Sequence, residues 1–272
     1  MYKTPHVPGF RYGADVKAKK HLGQHFLKNE AIAEDIAKAL VCDPPYARVL
    51  EIGPGMGMLT KFLLQDTRFE TWVVEIDAES VTYLQSHYLP LTARILGEDI
   101  LKMNFKKFSP APFAVIGNFP YNISSQILFK VYEEHLLVPE LVGMFQKEVA
   151  ERIASGPGNK DYGILSVLLQ AYYNVEYLFT VGEHEFNPPP RVKSGVIRMR
   201  HKGITALDCD EVKFKLVVKA AFNQRRKTMR NALQSIVPHK ELLQDEIFSK
   251  RAEQLSSDAF IGITNMLFPR SV

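Results

Sequence analysis

Apolar and polar positions along the chain fall into short alternating blocks, and the blocks change character near residue 202. The run Arg48 to Ile52 (RVLEI) is brief, apolar and bounded by turn residues, which predicts a buried parallel strand. Thr71 to Ile76 (TWVVEI), Arg94 to Leu96, Phe113 to Ile116 (FAVI) and Leu141 to Phe145 read the same way. Helical periodicities separate them. Asn29 is placed to cap a helix through Ala31, Ile32, Ile36, Ala39 and Leu40, which Pro44 and Pro45 end. Further helices are predicted from about Met58 to Gln65, from near Ala78 through Val81 and Leu84, and through Ile127, Leu128 and Val131. Strands alternating with helices predict an α/β fold, a parallel sheet with helices on both faces. An apolar helix after Gly163 and two β-rich stretches, Asn174 to Val181 and Gly195 to Arg200, complete this body.

The two ends differ from it. Residues 1–28 are rich in Gly, Lys and His and show no period, which predicts an extended arm. The final stretch reads as short helices, including Val212 to Phe222 and Lys227 to Ile236. The predicted organisation is therefore an arm over 1–28, an α/β domain over 29–202 and a small C-terminal helical domain over 203–272.

Composition adds limits. With 272 residues, 46% hydrophobic and 24% charged, the chain reads as globular. No apolar run approaches the roughly 18 residues of a membrane helix, and the N-terminus lacks a signal-peptide core. Cys42 and Cys209 stand far apart, outside any CxxC or His-rich cluster, so no metal is expected and a reducing, cytoplasmic setting fits. The net charge of +4 is less informative than its distribution. Residues 1–28 carry six Lys/Arg against one acid, 29–187 twelve against twenty-one, and 188–272 sixteen against eight. An acidic body between two basic ends is compatible with a nucleic-acid footprint and also with ordinary solvated charge.

The first strand runs into Glu51-Ile52-Gly53-Pro54-Gly55-Met56-Gly57. A dinucleotide fingerprint would place its third Gly at position 58, where Met stands. The GxGxG spacing resembles that of S-adenosylmethionine methyltransferases, whose cofactor has no pyrophosphate to seat on a helix N-terminus. Glu75 ends the second strand, where an acid can accept both hydroxyls of a ribose. Asp99 follows the third strand, where its carboxylate can accept the bond of an adenine amine.

Asn118-Phe119-Pro120-Tyr121 follows the fourth strand. The exocyclic amine of adenine is a poor nucleophile because its lone pair is delocalised into the ring. The Asn118 side-chain oxygen and the Pro120 carbonyl are placed to accept its N–H bonds and aim the lone pair, and Tyr121 offers a face for stacking. No strong general base is needed, since the methylated nitrogen sheds its proton readily. Phe186 precedes three prolines that stiffen its loop, and is a candidate second wall of the base slot or else a core residue.

With these motifs the chain resembles the ribosomal RNA adenine dimethyltransferase family, and within it the small-subunit branch. The likeness rests on Lys20-His21-Leu22-Gly23-Gln24-His25-Phe26-Leu27, Glu51 to Gly57, Asn118 to Tyr121, Gln146 to Val149, Tyr162-Gly163, Leu165 to Val167, Phe186 to Val192 and Ala221 to Thr228. The resemblance implies a Rossmann-like methyltransferase sheet and S-adenosyl-L-methionine as cofactor. It implies dimethylation of two adjacent adenosines in the 3′-terminal hairpin loop of 16S ribosomal RNA, a role in small-subunit biogenesis, and a monomer whose partner is the small ribosomal subunit. It also implies that His25 and Leu27 close over the cofactor and that Gly53, Gly55, Glu75, Asp99 and Asn118 form its pocket. The family often has Asn where His25 stands, which leaves the polar contact from position 25 open. Candidate RNA contacts are Lys19 and Lys20 in the arm, Arg191 and Lys193 beside the base loop, and Arg225, Arg226, Lys227 and Arg230 near a C-terminal helix start. Three rival readings are a large-subunit methyltransferase of the resistance branch, a non-catalytic assembly factor, and a nicotinamide dehydrogenase. Met58 and the lack of a hydride-transfer acid or base disfavour the last.

Overall fold

The computed structural model describes residues 16–237 and 239–269, so the part of the predicted arm before residue 16 lies outside the described residues. After a 3-10 turn at Lys20–Leu22 come β1 (Phe26–Leu27), α1 (Glu30–Lys38), β2 (Arg48–Ile52), α2 (Thr60–Leu63), β3 (Glu70–Val74) and α3 (Ala78–His87). β4 (Ile95–Leu96), α4 (Phe105–Phe108), β5 (Ala114–Asn118), α5 (Ser124–Glu133), β6 (Glu140–Gln146) and α6 (Lys147–Ala154) follow. The chain continues with α7 (Ile164–Tyr172), β7 (Tyr173–Val181), β8 (Phe186–Asn187) and β9 (Ser194–His201). It closes with α8 (Glu211–Asn223), α9 (Met229–Leu233) and α10 (Ser257–Leu267). Asn29 caps α1 as predicted, its side chain accepting from the Ala31 and Ile32 amides at 3.0 and 3.3 Å, an interaction worth about 1 kcal/mol.

Seven strands form one sheet in the order β4-β3-β2-β5-β6-β9-β7. The first five are parallel, and β9 runs antiparallel between β6 and β7. The chain order reverses between β2 and β5, and doubly wound sheets bind ligands beyond the strand ends at such a switch point.

Alternation along the strands builds two layers. Val49, Ala114, Ile116, Val142 and Met144 face one core with Ile36 of α1 and Leu63 of α2. Leu50, Ile52, Val115, Leu141 and Phe145 face the other, with Ile127 of α5 and Leu168 of α7. This second core runs on without a break into Phe214, Val217, Phe260 and Ile263 of α8 and α10. The Ser257 hydroxyl donates to the Val167 carbonyl at 3.0 Å. The expected boundary near residue 202 therefore crosses a shared core rather than a linker between separate ones.

The arm is not simply extended. It turns at Lys20–Leu22, and β1 then pairs antiparallel with β8, Phe26 opposite Asn187 and Leu27 opposite Phe186.

Candidate active site

The ends of β2, β3 and β5 and the arm enclose a cavity of about 190 Å³. Gly53, Gly55, Glu75, Asp99 and Asn118 line it, and so does His25 from the arm.

The Gly-rich turn is held from below and beside. The Gly53 amide extends the sheet to the Val74 carbonyl at 3.0 Å. Gly55 has φ +56°, and a Cβ there would lie 2.7 Å from the Phe26 ring, so only glycine lets the arm close this tightly. The Tyr88 hydroxyl donates to the Gly57 carbonyl at 2.9 Å. Beneath the turn, buried Glu51 accepts from the Thr60 hydroxyl at 2.6 Å. Burial pushes its carboxyl up to about 8, the Thr60 bond opposing and the Glu75 charge adding.

Glu75 is 5% exposed and accepts from the Gly55 amide at 3.1 Å and the Asp77 amide at 2.9 Å. Burial raises its pKa, and these backbone bonds oppose the rise. Asp99 is half-buried and accepts from the Leu101 amide at 2.9 Å, which fixes its carboxylate at the cavity edge.

The Asn118 tetrad sits at the other end. Its Phe119 ring is 1% exposed and fills the gap left by two glycines, Gly117 and Gly143, that stand opposite each other in the β5–β6 register. A Cβ on Gly143 would come within 2.2 Å of that ring. Burying the ring contributes about 2–3 kcal/mol and anchors the loop. The Asn118 Nδ2 donates to the His25 carbonyl at 2.9 Å, which leaves Oδ1 for a ligand. The Pro120 carbonyl accepts from the Ile123 amide at 3.2 Å and keeps a second lone pair. The Tyr121 ring lies 5.5 Å from the His25 ring, centroid to centroid.

His25 and the arm are strapped at both ends. His25 Nδ1 lies 2.8 Å from the Pro188 carbonyl. Lys19 forms an ion pair with Asp77 and a second with Glu79 at 3.1 Å, and the Gln24 amide reaches Asp77 at 3.3 Å. Burial pushes the Asp77 pKa up, but the bonds from Lys19, Gln24, Glu79 and Ser80 outweigh it and hold the carboxyl below its ordinary range. No sequence motif announces this strap. The one local signal is that Asp77 stands before a helical run, where it caps α3 through the Glu79 amide.

Two of the predicted site residues do not line the main cavity. Leu27 is not in the wall of the main cavity. It is 4% exposed and packs behind the Gly-rich turn. Phe186 is 1% exposed and belongs to the same core. Because Leu27 and Phe186 are directly paired across strands, their side chains share one face, and that face is the core. The His25 ring lies opposite Tyr121.

Among the proposed RNA contacts, Lys20, Arg191, Lys193, Arg225, Arg226, Lys227 and Arg230 are exposed. Arg225 also donates to the Lys160 carbonyl, and Arg230 Nε to the Leu243 carbonyl at 2.9 Å. Lys19 is committed within the protein to its two carboxylates.

The chemistry of the cavity can be tested against S-adenosylmethionine. Its lining contains no Lys or Arg but three acids, Glu75, Glu98 and Asp99, beside apolar Ile76, Ile100 and Leu101. Such a wall suits a cationic ligand with a ribose and a flat purine, and repels a pyrophosphate. The residues present fit the group. Among the described residues no cluster of three or more His, Cys, Asp or Glu is placed to hold a metal ion, and no helix is long and apolar enough to cross a membrane.

Sheet order, Gly-rich turn and acid-lined cavity define an α/β methyltransferase. A dimethyladenosine transferase from Plasmodium falciparum has a similar structure, with a TM-score of 0.76 at 25% identity, covering 88% of this chain and 96% of that one. A 23S rRNA methyltransferase shares the fold at a TM-score of 0.63 and 23% identity, covering 88% and 99%. The family model for ribosomal RNA adenine dimethylase matches residues 15–267, and the chain belongs to that family. A ribosomal RNA small subunit methyltransferase A from Cytophaga hutchinsonii is 57% identical over 93% of this chain and 98% of its own length. One of the same description from Porphyromonas gingivalis is 51% identical over 93% and 98%.

Proposed function

We propose that the protein is an S-adenosylmethionine-dependent enzyme that dimethylates two adjacent adenosines in the 3′-terminal hairpin loop of 16S ribosomal RNA. It would act as a cytoplasmic monomer on a maturing small subunit. The observation that carries this reading is the joining of the acid-lined cavity to the Asn118–Tyr121 loop in one enclosure. The small-subunit assignment follows the names of the relatives that match nearly end to end. It is preferred to the large-subunit branch on that ground.

Bound S-adenosylmethionine supplies an electrophilic methyl on a sulfonium centre. The chain's own residues do the rest. Glu75 and Asp99 hold the ribose and the purine of the cofactor, and Gly53 and Gly55 let the backbone approach. Asn118 Oδ1 and the Pro120 carbonyl accept the two N–H bonds of the target amine and favour a pyramidal nitrogen. Tyr121 stacks on the base, which hairpin loops extrude at small cost. The arm, strapped over the cavity through Lys19 and His25, excludes water. Arg191, Lys193, Arg225, Arg226, Lys227, Arg230 and Lys20 are the exposed cations offered to RNA phosphates, so binding weakens steeply with salt.

Primer extension on small-subunit RNA tests the substrate. A strain lacking the gene should lose the stop at the paired dimethyladenosines and regain it on complementation. A stop that persists in the deletion strain refutes the assignment.

A further inference from the structure

His25 and Tyr121 face each other at the reactive end of the cavity, their planes inclined by 32°. Both rings are tied to one segment of chain, His25 to the Pro188 carbonyl and Tyr121 to the Ser194 hydroxyl, with 2.6 Å between the tyrosine and serine oxygens. Ser194 differs in kind from a loop hydroxyl. It is fully buried, it opens β9, and its backbone is registered between Gln146 of β6 and Val181 of β7. It is a fixed point on the sheet. Tyr121 by contrast lies on the loop after β5 and is only partly buried. A ring on a loop turns about its two side-chain torsions unless its far end is held.

We infer that Ser194 is a positioning residue, which sets the tilt of the Tyr121 ring so that a purine stacked on it presents its amine to Asn118 and Pro120. The inference rests on the adenine-methylation reading above. It adds a residue that touches neither base nor cofactor and acts through Tyr121. A bond of this kind leaves encounter with RNA untouched and affects the aligned state, so its loss falls on kcat.

A double-mutant cycle on the full-length protein tests this, using small subunits lacking the modification. Ser194→Ala and Tyr121→Phe each remove the bond from one side. Each should lower kcat about tenfold, with KM for subunits and Kd for S-adenosylmethionine changed by less than about twofold. The double variant should be no slower than the slower single one. A hairpin RNA with 2-aminopurine at the target position should be quenched less by Ser194→Ala than by wild type. Unchanged kcat in Ser194→Ala, or losses that multiply in the double variant, overturn the inference. If Ser194→Ala fails to fold, an unchanged kcat in Tyr121→Phe overturns it equally. A wild-type protein that methylates no subunit RNA sinks the functional reading instead. Equal quenching by wild type and Ser194→Ala would then overturn the role of Ser194 separately.

Discussion

The side-chain amide of Asn118 donates to the backbone carbonyl of His25 at 2.9 Å, across 93 residues of sequence. This bond ties the loop that presents the target amine to the arm that covers the cavity. It also fixes which end of the Asn118 side chain faces the ligand, since the amide nitrogen is already committed. Removing the side chain should therefore have two effects. Asn118→Ala should lower methyl transfer by roughly 10²–10³-fold, the cost of deleting one well-placed polar partner. It should also speed amide exchange in residues 19–27. A variant that loses activity with exchange in the arm unchanged would show that the bond does not hold the arm.

Gly143 faces the Phe119 ring, and a Cβ would come within 2.2 Å of it. Gly143→Ala should force that ring and the tetrad backbone to move. The expected cost in stability is about 1–3 kcal/mol, from overpacking a filled core. Urea denaturation reads the cost and a methylation assay reads the loop. A variant as stable and as active as wild type would mean the ring has room that the structure does not show.

Lys19 bridges Asp77 and Glu79 from the arm to the cavity edge. Lys19→Gln should lower the melting temperature slightly, because it takes the cation from the buried Asp77 carboxylate, which keeps its bonds from Gln24, Ser80 and the Glu79 amide. It should weaken S-adenosylmethionine binding several-fold by loosening the arm, and high salt should shrink the difference between variant and wild type. Titration calorimetry at two salt concentrations checks both. Equal affinities at low salt would remove the strap from the account.

Glu51 gives a stability signature with a definite sign. Its folded pKa, raised to about 8, exceeds its ordinary value of 4.5. The folded state therefore binds the extra proton between those values. The contribution is complete below the ordinary value and is lost as pH rises through about 8. Glu51→Gln cannot ionise, so its stability relative to wild type should rise from pH 5 to pH 9. Denaturation profiles that stay parallel over that range would show that Glu51 is ionised in the folded protein.

The sheet was readable because its strands are short apolar runs between turns, and Arg48–Ile52 came out with the predicted bounds. The antiparallel pair Tyr173–Val181 and Ser194–His201 was visible as β-rich sequence but not as part of the same sheet. Helix α6 begins at the residue after β6 ends, with no turn between them to announce it. At the site, the residues supplied by strand ends were legible, since a Gly-rich turn and acids at fixed places carry local meaning. What stayed hidden was set by partners remote in sequence. Lys19 reads as a free cation until Asp77, 58 residues on, is seen beside it. The burial of Phe186 depends on its pairing with Leu27, far away in sequence. Ser194 carries no motif-level signal for holding Tyr121, 73 residues away.

The central claim concerns chemistry at adenine. Purified protein, unmodified small and large subunits and S-adenosylmethionine carrying a labelled methyl group provide its most direct measurement. The account predicts that mass spectrometry of digested RNA finds N6,N6-dimethyladenosine, two per small subunit and none from the large one, and that Asn118→Ala all but abolishes it. Label appearing on another base, on large-subunit RNA, or at an undiminished rate with Asn118→Ala would contradict it.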